Sequence, residues 1–359
     1  MSDGAARGYE ESGVRGQGDA LAAVTEHLLP TFALPRGARV TTGFGAYASV
    51  IELAPDIAIA LSTDGVGSKT LIASALDRYD TIGFDCVAMS VNDLLCVGAR
   101  PLALVDYLGV NRLEDARAEA ILGGLAAAAH EAGIAVPGGE VAQLPEIITP
   151  GDEAGFDLVG TAVGSVRPDA VIRGDTMAPG DALVGISSSG IHSNGLTLAR
   201  RALLERAGLR LDEHVEALGR TVGEELLVPT IVYVAAIQSL WDAEIPTPGL
   251  AHITGEGLAN LCRLNDRVGF VVDDVPEPQP IFHLIAEAGD IAPAEMYQVF
   301  NMGVGFVVVT PEDHVDDVLA IVGSRGLTAR RIGHVTDEAG VLRLLQPGLV
   351  GGRGGLRRT

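Results

Sequence analysis

A glycine-rich turn between a strand and a helix is the first candidate for chemistry in this sequence. The segment Ser62–Thr70 reads STDGVGSKT, so two glycines free the backbone where an apolar run ends and a helical one begins. The N–H groups of such a turn and the helix N-terminus can bind an anion, and Asp64 can hold a magnesium ion. The spacing is not that of a Walker loop. The predicted nucleotide-binding residues of this turn are Asp64, Gly65, Gly67, Ser68 and Lys69.

Lys69 is the only lysine in the chain, and the other 24 basic residues are arginines. A lysine that is kept while arginine is used elsewhere indicates a site that needs a compact ammonium, which the planar guanidinium does not imitate. We therefore predict that Lys69 contacts a phosphate group. A tight turn with a surface lysine is the structural alternative.

Two polar residues interrupt an apolar stretch that starts near Cys86. Asn92 and Asp93 lie in the segment VNDL, where unpartnered buried polar groups would be costly. They are predicted to face a nucleotide or metal, although a helix cap or a satisfied core pair would also explain them. Asp64 and Asp93 together suit Mg²⁺, which binds one or two carboxylates plus phosphate oxygens.

A third candidate is the segment GGE, at positions 138–140. It follows a short apolar run, 134–137, and is predicted to form a turn at the carboxyl end of a strand, where α/β proteins bind ligands. Gly139 and Glu140 are therefore candidate ligand contacts. An exposed turn acid is the alternative.

The second half of the chain offers another strand-to-helix turn, with the sequence GISSSGIHSNG at 185–195. Its hydroxyl and N–H groups are predicted to seat a second phosphate, although Ser193 or Asn194 could instead cap the helix. A further strand-end turn, HITGEG at 252–257, carries His252 and Thr254. His192 is a candidate for proton transfer. The predicted substrate-binding residues are Ser189, Gly190, His192, Ser193, Asn194 and Thr254.

Alternating strand and helix patterns surround these turns and predict an α/β (α+β) protein with two domains. Strands are expected at 57–63, 101–110, 134–137, 156–166, 182–187 and 269–273. Helices are expected to start at residue 70 and to span 113–132, 196–207, 230–241 and 258–264. The polar segment 167–180 is the best boundary, which gives domains at 1–166 and 167–345 and a flexible tail at 346–359. The turn NMGVG at 301–305 is assigned to strand packing.

Composition excludes several classes of protein. The 359 residues include 47 acidic and 25 basic ones, a net charge of -22, which disfavours binding to nucleic acid or anionic membranes. Three cysteines without paired spacing predict neither a disulfide framework nor a zinc site. No uncharged apolar run approaches the ~20 residues of a membrane span, and no signal peptide is visible. A cytoplasmic protein is expected.

Taken in order, these motifs resemble the phosphoribosylformylglycinamidine cyclo-ligase (aminoimidazole ribonucleotide synthetase) family. The resemblance runs from about residue 9 to residue 345 and includes DGVGSK at 64–69, VNDL at 91–94, GGE at 138–140, HSNG at 192–195, HITG at 252–255 and FNMGVG at 300–305. It implies ATP-dependent ring closure of formylglycinamidine ribonucleotide in purine synthesis, with Mg²⁺. It also implies a homodimer whose N-terminal strands share a β-barrel, with ATP near that interface.

The resemblance assigns roles to the motif residues. It implies metal or nucleotide contacts at Asp64 and Asp93, a phosphate contact at Lys69, an active-site acid at Glu140, and substrate or proton-transfer roles at His192, Ser193, Asn194 and His252. Val141, Gln143 and Glu256 depart from the usual pattern. The departures at Val141 and Glu256 leave open a catalytically silent nucleotide-binding paralogue. An enzyme like thiamine-monophosphate kinase, a relative that shares the two-domain fold, is a second alternative.

Overall fold

A six-stranded sheet forms the centre of the N-terminal half. The computed structural model describes residues 25–148 and 155–359, so the first 24 residues of the predicted domain 1–166 lie outside the described residues. The strands are β1 (Arg39–Val40), β2 (Ser49–Ala54), β3 (Ile57–Gly65), β4 (Arg100–Val110), β5 (Ala135–Gln143) and β6 (Phe156–Val166). Their order is β1-β2-β3-β6-β4-β5. Neighbours are antiparallel except β4 and β5, which are parallel.

The helices that accompany this sheet include α1 (Lys69–Leu76), α2 (Ile82–Cys96) and α3 (Asp115–Ala132), with a 3₁₀ turn at Leu29–Ala33. Helix α2 packs between the sheet and α3. Of its 15 residues, 13 are buried. No helix is predicted over these residues from the sequence, because a helix that is buried on all sides has no polar face and gives no 3.6-residue pattern.

The second half is built on an eight-stranded sheet. Its strands are β7 (Ala182–Ser187), β10 (Gly249–His252), β11 (Gly269–Val272), β12 (Val304–Thr310), β13 (Ala329–Thr336), β14 (Leu342–Leu344), β15 (Leu349–Gly352) and β16 (Gly355–Arg358). Their order is β10-β12-β7-β13-β11-β14-β15-β16. Strands β8 (His214–Val215) and β9 (Arg220–Thr221) form a separate hairpin. Every residue of β12 is buried, so this strand lies in the core of the second half.

Helices cover the second sheet and lead into its loops. They are α4 (Leu196–Arg200), α5 (Val222–Leu226), α6 (Val234–Asp242), α7 (Pro280–Gly289), α8 (Pro293–Val299) and α9 (Val315–Ser324). Helix α4 continues as a π-helical turn (Arg201–Arg206), and 3₁₀ turns occur at Pro168–Ala170, Glu216–Leu218, Gly257–Arg263 and Glu312–His314. Among the described residues, none of these helices is long and apolar enough to span a membrane.

The predicted two-domain α/β (α+β) architecture is confirmed, with one correction at the C-terminus. Strands β6 and β7 have the predicted bounds, and β3 extends the predicted strand by two residues. The predicted flexible tail, 346–359, instead contains the β15–β16 hairpin, which pairs with β14. Leu349 and Leu356 of this hairpin are buried, so apolar contacts hold it against the sheet. The domain boundaries remain predictions.

Close packing of α2 on α3 depends on glycine, which gives a test of the core. A Cβ atom added to Gly124 would collide with the backbone oxygen of Asp80, whereas one added to the adjacent Gly123 would meet nothing within 4 Å. We expect Gly124→Ala to lower the free energy of unfolding by about 2 kcal/mol or more, because backbone cannot move aside cheaply. Gly123→Ala is the matched control and should raise it by about 0.5–1 kcal/mol. Urea unfolding measures both, and equal effects would contradict the packing described.

Candidate active site

The glycine-rich turn and helix α2 place two carboxylates near each other. Asp64 is the penultimate residue of β3, and its Oδ1 accepts a hydrogen bond of 2.8 Å from the N–H of Gly65. Asp93 comes from the last turn of α2. Burial, and secondly the negative charge of Asp93, raise the pKa of Asp64 to about 6, from an ordinary value of 3.8. The two carboxylates therefore repel each other in a poorly solvated place.

The donor chemistry of this pair suits a magnesium ion. Two carboxylates that repel each other would be stabilised by a divalent cation, and carboxylate oxygens with phosphate oxygens are the donors Mg²⁺ prefers. Within the described residues there is no cluster of three or more His, Cys, Asp or Glu side chains placed to hold a metal. A bound ion would thus depend on the phosphates of a nucleotide for its remaining ligands.

The raised pKa of Asp64 gives a pH-dependent stability in metal-free protein. The folded state keeps this carboxyl protonated where the unfolded chain ionises it, so its stabilising contribution is full below about pH 4 and is lost as pH rises through about 6. We expect Asp64→Asn to be more stable than the parent by about 2 kcal/mol at pH 7.5 with a chelator present, and equal to it at pH 4. Urea unfolding across this range tests it, with the exposed Asp56→Asn as control. Parallel pH curves would contradict the shift.

His252 forms a dyad with Asp93. The Nδ1 atom of His252 lies 2.9 Å from Asp93 Oδ1, and the imidazole is fully buried. An ionised carboxylate only accepts, so this contact assigns the proton to Nδ1 and leaves Nε2 with a lone pair. Nε2 is buried and has no hydrogen-bond partner among the described residues. The arrangement suits proton acceptance from a bound substrate.

His192 lies in the loop between β7 and α4, and its ring nitrogens have different partners from those of His252. Its Nε2 accepts a hydrogen bond of 3.2 Å from the N–H of Ser189, and its Nδ1 has no partner in the part of the chain described. Burial, followed by the charges of His252 and Lys69, lowers the pKa of His192 well below its usual range. The imidazole is therefore neutral at physiological pH, with a buried Nδ1–H available to a ligand.

Of the other predicted substrate residues, Ser193 and Asn194 contact the first half of the chain, and the rest bond within the second half. Ser193 Oγ donates to the carbonyl oxygen of Val66 at 3.2 Å, and Asn194 Nδ2 lies 3.9 Å from Met89 Sδ of α2. Ser189 Oγ donates to Pro229 O, Gly190 O accepts from Asn301, and the N–H of Thr254 donates to Asn260. Neither Ser193 nor Asn194 caps α4, whose N-cap is Gly195. The structure thus brings the 189–194 loop against the glycine-rich turn.

The structure corrects the prediction for Lys69. Its side chain is fully buried, and its Nζ donates to Asp85 Oδ1 at 2.9 Å, His192 O at 3.3 Å and Val228 O at 2.6 Å. All three donors of the ammonium are used inside the protein, so Lys69 has none left for phosphate. Gly65, Gly67 and Ser68 do form the predicted turn, and Ser68 Oγ lies 3.1 Å from Thr197 Oγ1 across the two halves.

The side chain of Asn92 is hydrogen-bonded within the core, as the alternative of a satisfied core pair predicts. Its Nδ2 donates to Ile231 O at 2.9 Å, and its Oδ1 accepts from the N–H of Tyr233 at 3.0 Å. The residue is fully buried. Asn92 therefore fixes the 231–233 segment on α2, and the prediction that it contacts a nucleotide is wrong for this conformation.

The GGE segment is not a turn, and this prediction is wrong. Gly139 and Glu140 lie within β5, where Gly139 pairs with Asp106 and Glu140 with Tyr107. Asp106 pairs with Gly160, which pairs with Asp64, so Gly139 shares a sheet face with Asp64. Alternation along the strand puts Glu140 on the opposite face, exposed. Glu140 is therefore not part of the Asp64–Asp93–His252 cluster in this chain.

Several residues that shape the site carried no recognisable signal in the sequence. Asn301 donates to Gly190 O and Ile191 O and accepts from Ser188 Oγ, so it holds the loop that carries His192. Asp106 is buried on the same sheet face as Asp64, and burial raises its pKa. Asn301 lies in the turn assigned to strand packing; only its position within a glycine turn could have drawn attention to it.

Family models match both halves of the chain. Residues 45–166 match the N-terminal domain of AIR synthase related proteins, and residues 178–344 match the C-terminal domain. A phosphoribosylformylglycinamidine cyclo-ligase from Methanothermobacter thermautotrophicus is 50% identical over 306 residues, covering 85% of this chain and 87% of the relative. One from Pyrococcus furiosus is 43% identical over 337 residues, covering 93% and 96%.

Solved structures share the fold at lower identity. A thiamine-monophosphate kinase from Stenotrophomonas maltophilia superposes with a TM-score of 0.61 at 21% identity, covering 90% of this chain and 96% of that one. Thermotoga maritima PurL complexed with FGAR gives 0.58 at 19%, covering 93% of this chain and 49% of PurL. At such low sequence identities, the superpositions show a shared architecture and nothing about activity. The identity to the curated relatives, over nearly their whole length, is decisive, and the chain belongs to the phosphoribosylformylglycinamidine cyclo-ligase family of AIR synthase related proteins.

Proposed function

We propose that this protein is an ATP-dependent cyclo-ligase, which converts formylglycinamidine ribonucleotide to aminoimidazole ribonucleotide in de novo purine biosynthesis and releases ADP and phosphate. The observation that carries the proposal is the 43–50% identity to enzymes named for this reaction, across most of both chains. The thiamine-monophosphate kinase alternative is supported only by a shared fold at 21% identity.

The reaction has two bond-making steps. The formyl oxygen attacks the γ-phosphorus of ATP, ADP leaves, and the formyl carbon then carries a phosphate leaving group. An amidine nitrogen attacks that carbon and loses a proton, and the C–O bond breaks to release phosphate. A second proton leaves the ring as it becomes aromatic and departs on the phosphate. The protein must therefore bind two phosphate-bearing molecules, exclude water from the phosphorylated intermediate, and accept one proton.

His252 is the residue we assign to the proton. Its Nε2 is buried and unpartnered among the described residues, while Asp93 holds Nδ1. A carboxylate in this position fixes the tautomer and stabilises the imidazolium that forms. His192 is less suited to the same task, because its Nε2 already accepts from Ser189 and burial holds its pKa low. We assign His192 to substrate orientation through Nδ1–H.

Asp64 and Asp93 are the residues we assign to Mg²⁺ bound with ATP. The ion would neutralise charge on the transferred phosphoryl group. The turn 65–68 lies beside them and would receive the nucleotide phosphates. On the opposite side of the interface, Ser189, Gly190, Ser193, Asn194 and Thr254 would bind the ribonucleotide substrate. These residues meet between the two halves of the chain, which suits a reaction between two ligands.

We also propose a homodimer in the cytoplasm, with the N-terminal strands of two copies sharing a barrel. Supporting this, β5 is the last strand of its sheet, and Val105 and Tyr107 on the neighbouring β4 are exposed. Val141 is exposed on β5 itself. An exposed strand edge beside apolar side chains favours pairing with another chain. Sedimentation equilibrium should give about twice 37.1 kDa, and a monomer at all concentrations would contradict it.

The test of the activity uses purified protein, ATP, Mg²⁺ and formylglycinamidine ribonucleotide. We expect ADP release that depends on the ribonucleotide, with equal amounts of aminoimidazole product. Thiamine monophosphate in its place should give no ADP, and phosphorylation of thiamine monophosphate would favour the kinase. ATP binding without either reaction would favour a silent paralogue, the alternative raised by Val141 and Glu256.

A further inference from the structure

A buried ion pair in the first half of the chain lies beside the proposed active site and faces the second half. Lys69 on α1 and Asp85 on α2 are both fully buried, with Nζ 2.9 Å from Asp85 Oδ1. Removing two charges from water costs several kcal/mol for each ion, so a buried pair is a poor stabiliser compared with apolar side chains. A pair of this kind can nevertheless impose one geometry on the groups around it.

Every neighbour that the pair binds belongs to the second half. The ammonium of Lys69 donates to the carbonyl oxygens of His192 and Val228. Asp85 Oδ1 accepts from the N–H of Thr230 at 2.9 Å and from its Oγ1 at 2.6 Å. Lys69 and Asp85 of the first half thus hydrogen-bond to two separate loops of the second half. One of these loops carries the buried imidazole of His192.

The peptide that Lys69 holds is in a costly conformation. His192 has a φ of +63°, in the left-handed region that residues with a Cβ rarely adopt. Such a conformation costs about 1 kcal/mol or more and persists only where the surroundings impose it. Two contacts do so here: Lys69 Nζ holds the carbonyl oxygen of His192, and the N–H of Ser189 holds Nε2 of its ring.

We propose that Lys69, charge-balanced by Asp85, is a positioning residue that keeps the His192 peptide left-handed and thereby aims the His192 imidazole at the substrate. This inference rests on the proposed function, in which His192 contacts the ribonucleotide. Lys69 itself touches neither substrate nor nucleotide. This positioning role also explains why a single lysine is kept, since the planar guanidinium group of arginine does not fit three acceptors around one buried nitrogen.

The test separates positioning from stabilisation with paired substitutions. Lys69→Met alone leaves the Asp85 carboxylate buried without a counter-charge and should destabilise the fold strongly. Lys69→Met with Asp85→Asn removes both charges, while the asparagine oxygen can still accept from Thr230. We expect this double variant to regain most of the stability but to keep a kcat about 10–100-fold below the parent, with KM for ATP unchanged. Recovery of both stability and kcat would overturn the proposal.

Arg100→Gln is the matched control. Arg100 and Asp242 form an ion pair that does span the two halves, at 2.6 Å, but both side chains are substantially exposed, and neither hydrogen-bonds to His192 in the described part of the chain. Loss of this surface pair should leave kcat unchanged. If the double variant does not fold, Thr230→Val replaces it, because it removes one hydrogen bond from Asp85 without changing charge. That variant should lower kcat about threefold, and an unchanged kcat would overturn the proposal.

A readout without substrate keeps this inference separate from the proposed reaction. Nitrogen-15 spectra of the histidine rings, with His192 assigned from His192→Gln, report the tautomer and environment of its ring. We expect the His192 signals to shift in the double variant and to stay in place in Arg100→Gln. Unshifted His192 signals overturn the positioning role even if kcat falls. A parent protein that forms no imidazole product contradicts the proposed function instead, and the spectra still decide the role of Lys69.

Discussion

Asp93→Asn is expected to lower kcat by about three orders of magnitude in a chain that still folds. Asp93 accepts from His252 Nδ1 and lies beside Asp64, so one carboxylate serves both the proposed base and the proposed metal. An asparagine can turn its NH₂ group toward Nδ1, which would move the ring proton to Nε2 and remove the lone pair that accepts the substrate proton. Loss of a metal ligand adds to the effect.

The control for Asp93→Asn is Asp80→Asn, at an exposed position just before α2. Both substitutions remove one negative charge from the same region of the chain, so a difference between them reports the dyad. Steady-state kinetics with ATP and formylglycinamidine ribonucleotide measure kcat, and urea unfolding confirms the fold. More than about a tenth of the parental kcat in Asp93→Asn would be inconsistent with the roles assigned to Asp93.

Gly305→Ala is expected to lower kcat about 100-fold, through a single methyl group in the core of the second half. A Cβ atom at Gly305 on β12 would collide with the hydroxyl of Tyr233 and lie 2.7 Å from Cε1 of His192. Tyr233 is fully buried and donates to Ser187 O at 2.9 Å, so it cannot simply turn away. The imidazole of His192 must therefore move away from its position in the site.

Gly323→Ala on α9 is the control, because a methyl group there meets nothing within 4 Å. Gly305→Ala should lose about 1–3 kcal/mol of stability and remain folded at 25 °C. Its His192 ring signals should shift, as we also expect when Lys69 and Asp85 are both replaced. Parental kcat in a folded Gly305→Ala protein would show that the position of His192 does not matter to the reaction.

The elements that the sequence predicted well are those with distinct ends. Strands β6 and β7 are apolar runs bounded by charge, proline and glycine, and their predicted bounds match the structure. Helix α2 was not predicted, because 13 of its 15 residues are buried and it has no polar stripe. The GGE segment was predicted as a turn from its glycines, yet the outer strand of a sheet tolerates glycine and continues through it.

Among the functional residues, too, motifs in the sequence identified candidates, whereas contacts made by packing were not predicted. Asp64, Asp93 and His252 were singled out from separate motifs, and the structure places Asp93 beside both of the others. Their roles in a site remain predictions. Lys69 was singled out by its rarity, but its ammonium binds Asp85 and the carbonyl oxygens of His192 and Val228 inside the protein. Its partner Asp85 lies on a different helix, and only the packing of α1 on α2 brings the two together. Sequence spacing cannot show that a charge is buried against another.

The most direct test of the central claim follows the formyl oxygen. Formylglycinamidine ribonucleotide labelled with oxygen-18 in its formyl group is incubated with the protein, ATP and Mg²⁺, and the released phosphate is analysed by mass spectrometry. If the formyl oxygen is activated by phosphorylation, one labelled oxygen should appear in phosphate for each aminoimidazole ribonucleotide formed. Unlabelled phosphate, with the label released as water, would contradict this mechanism.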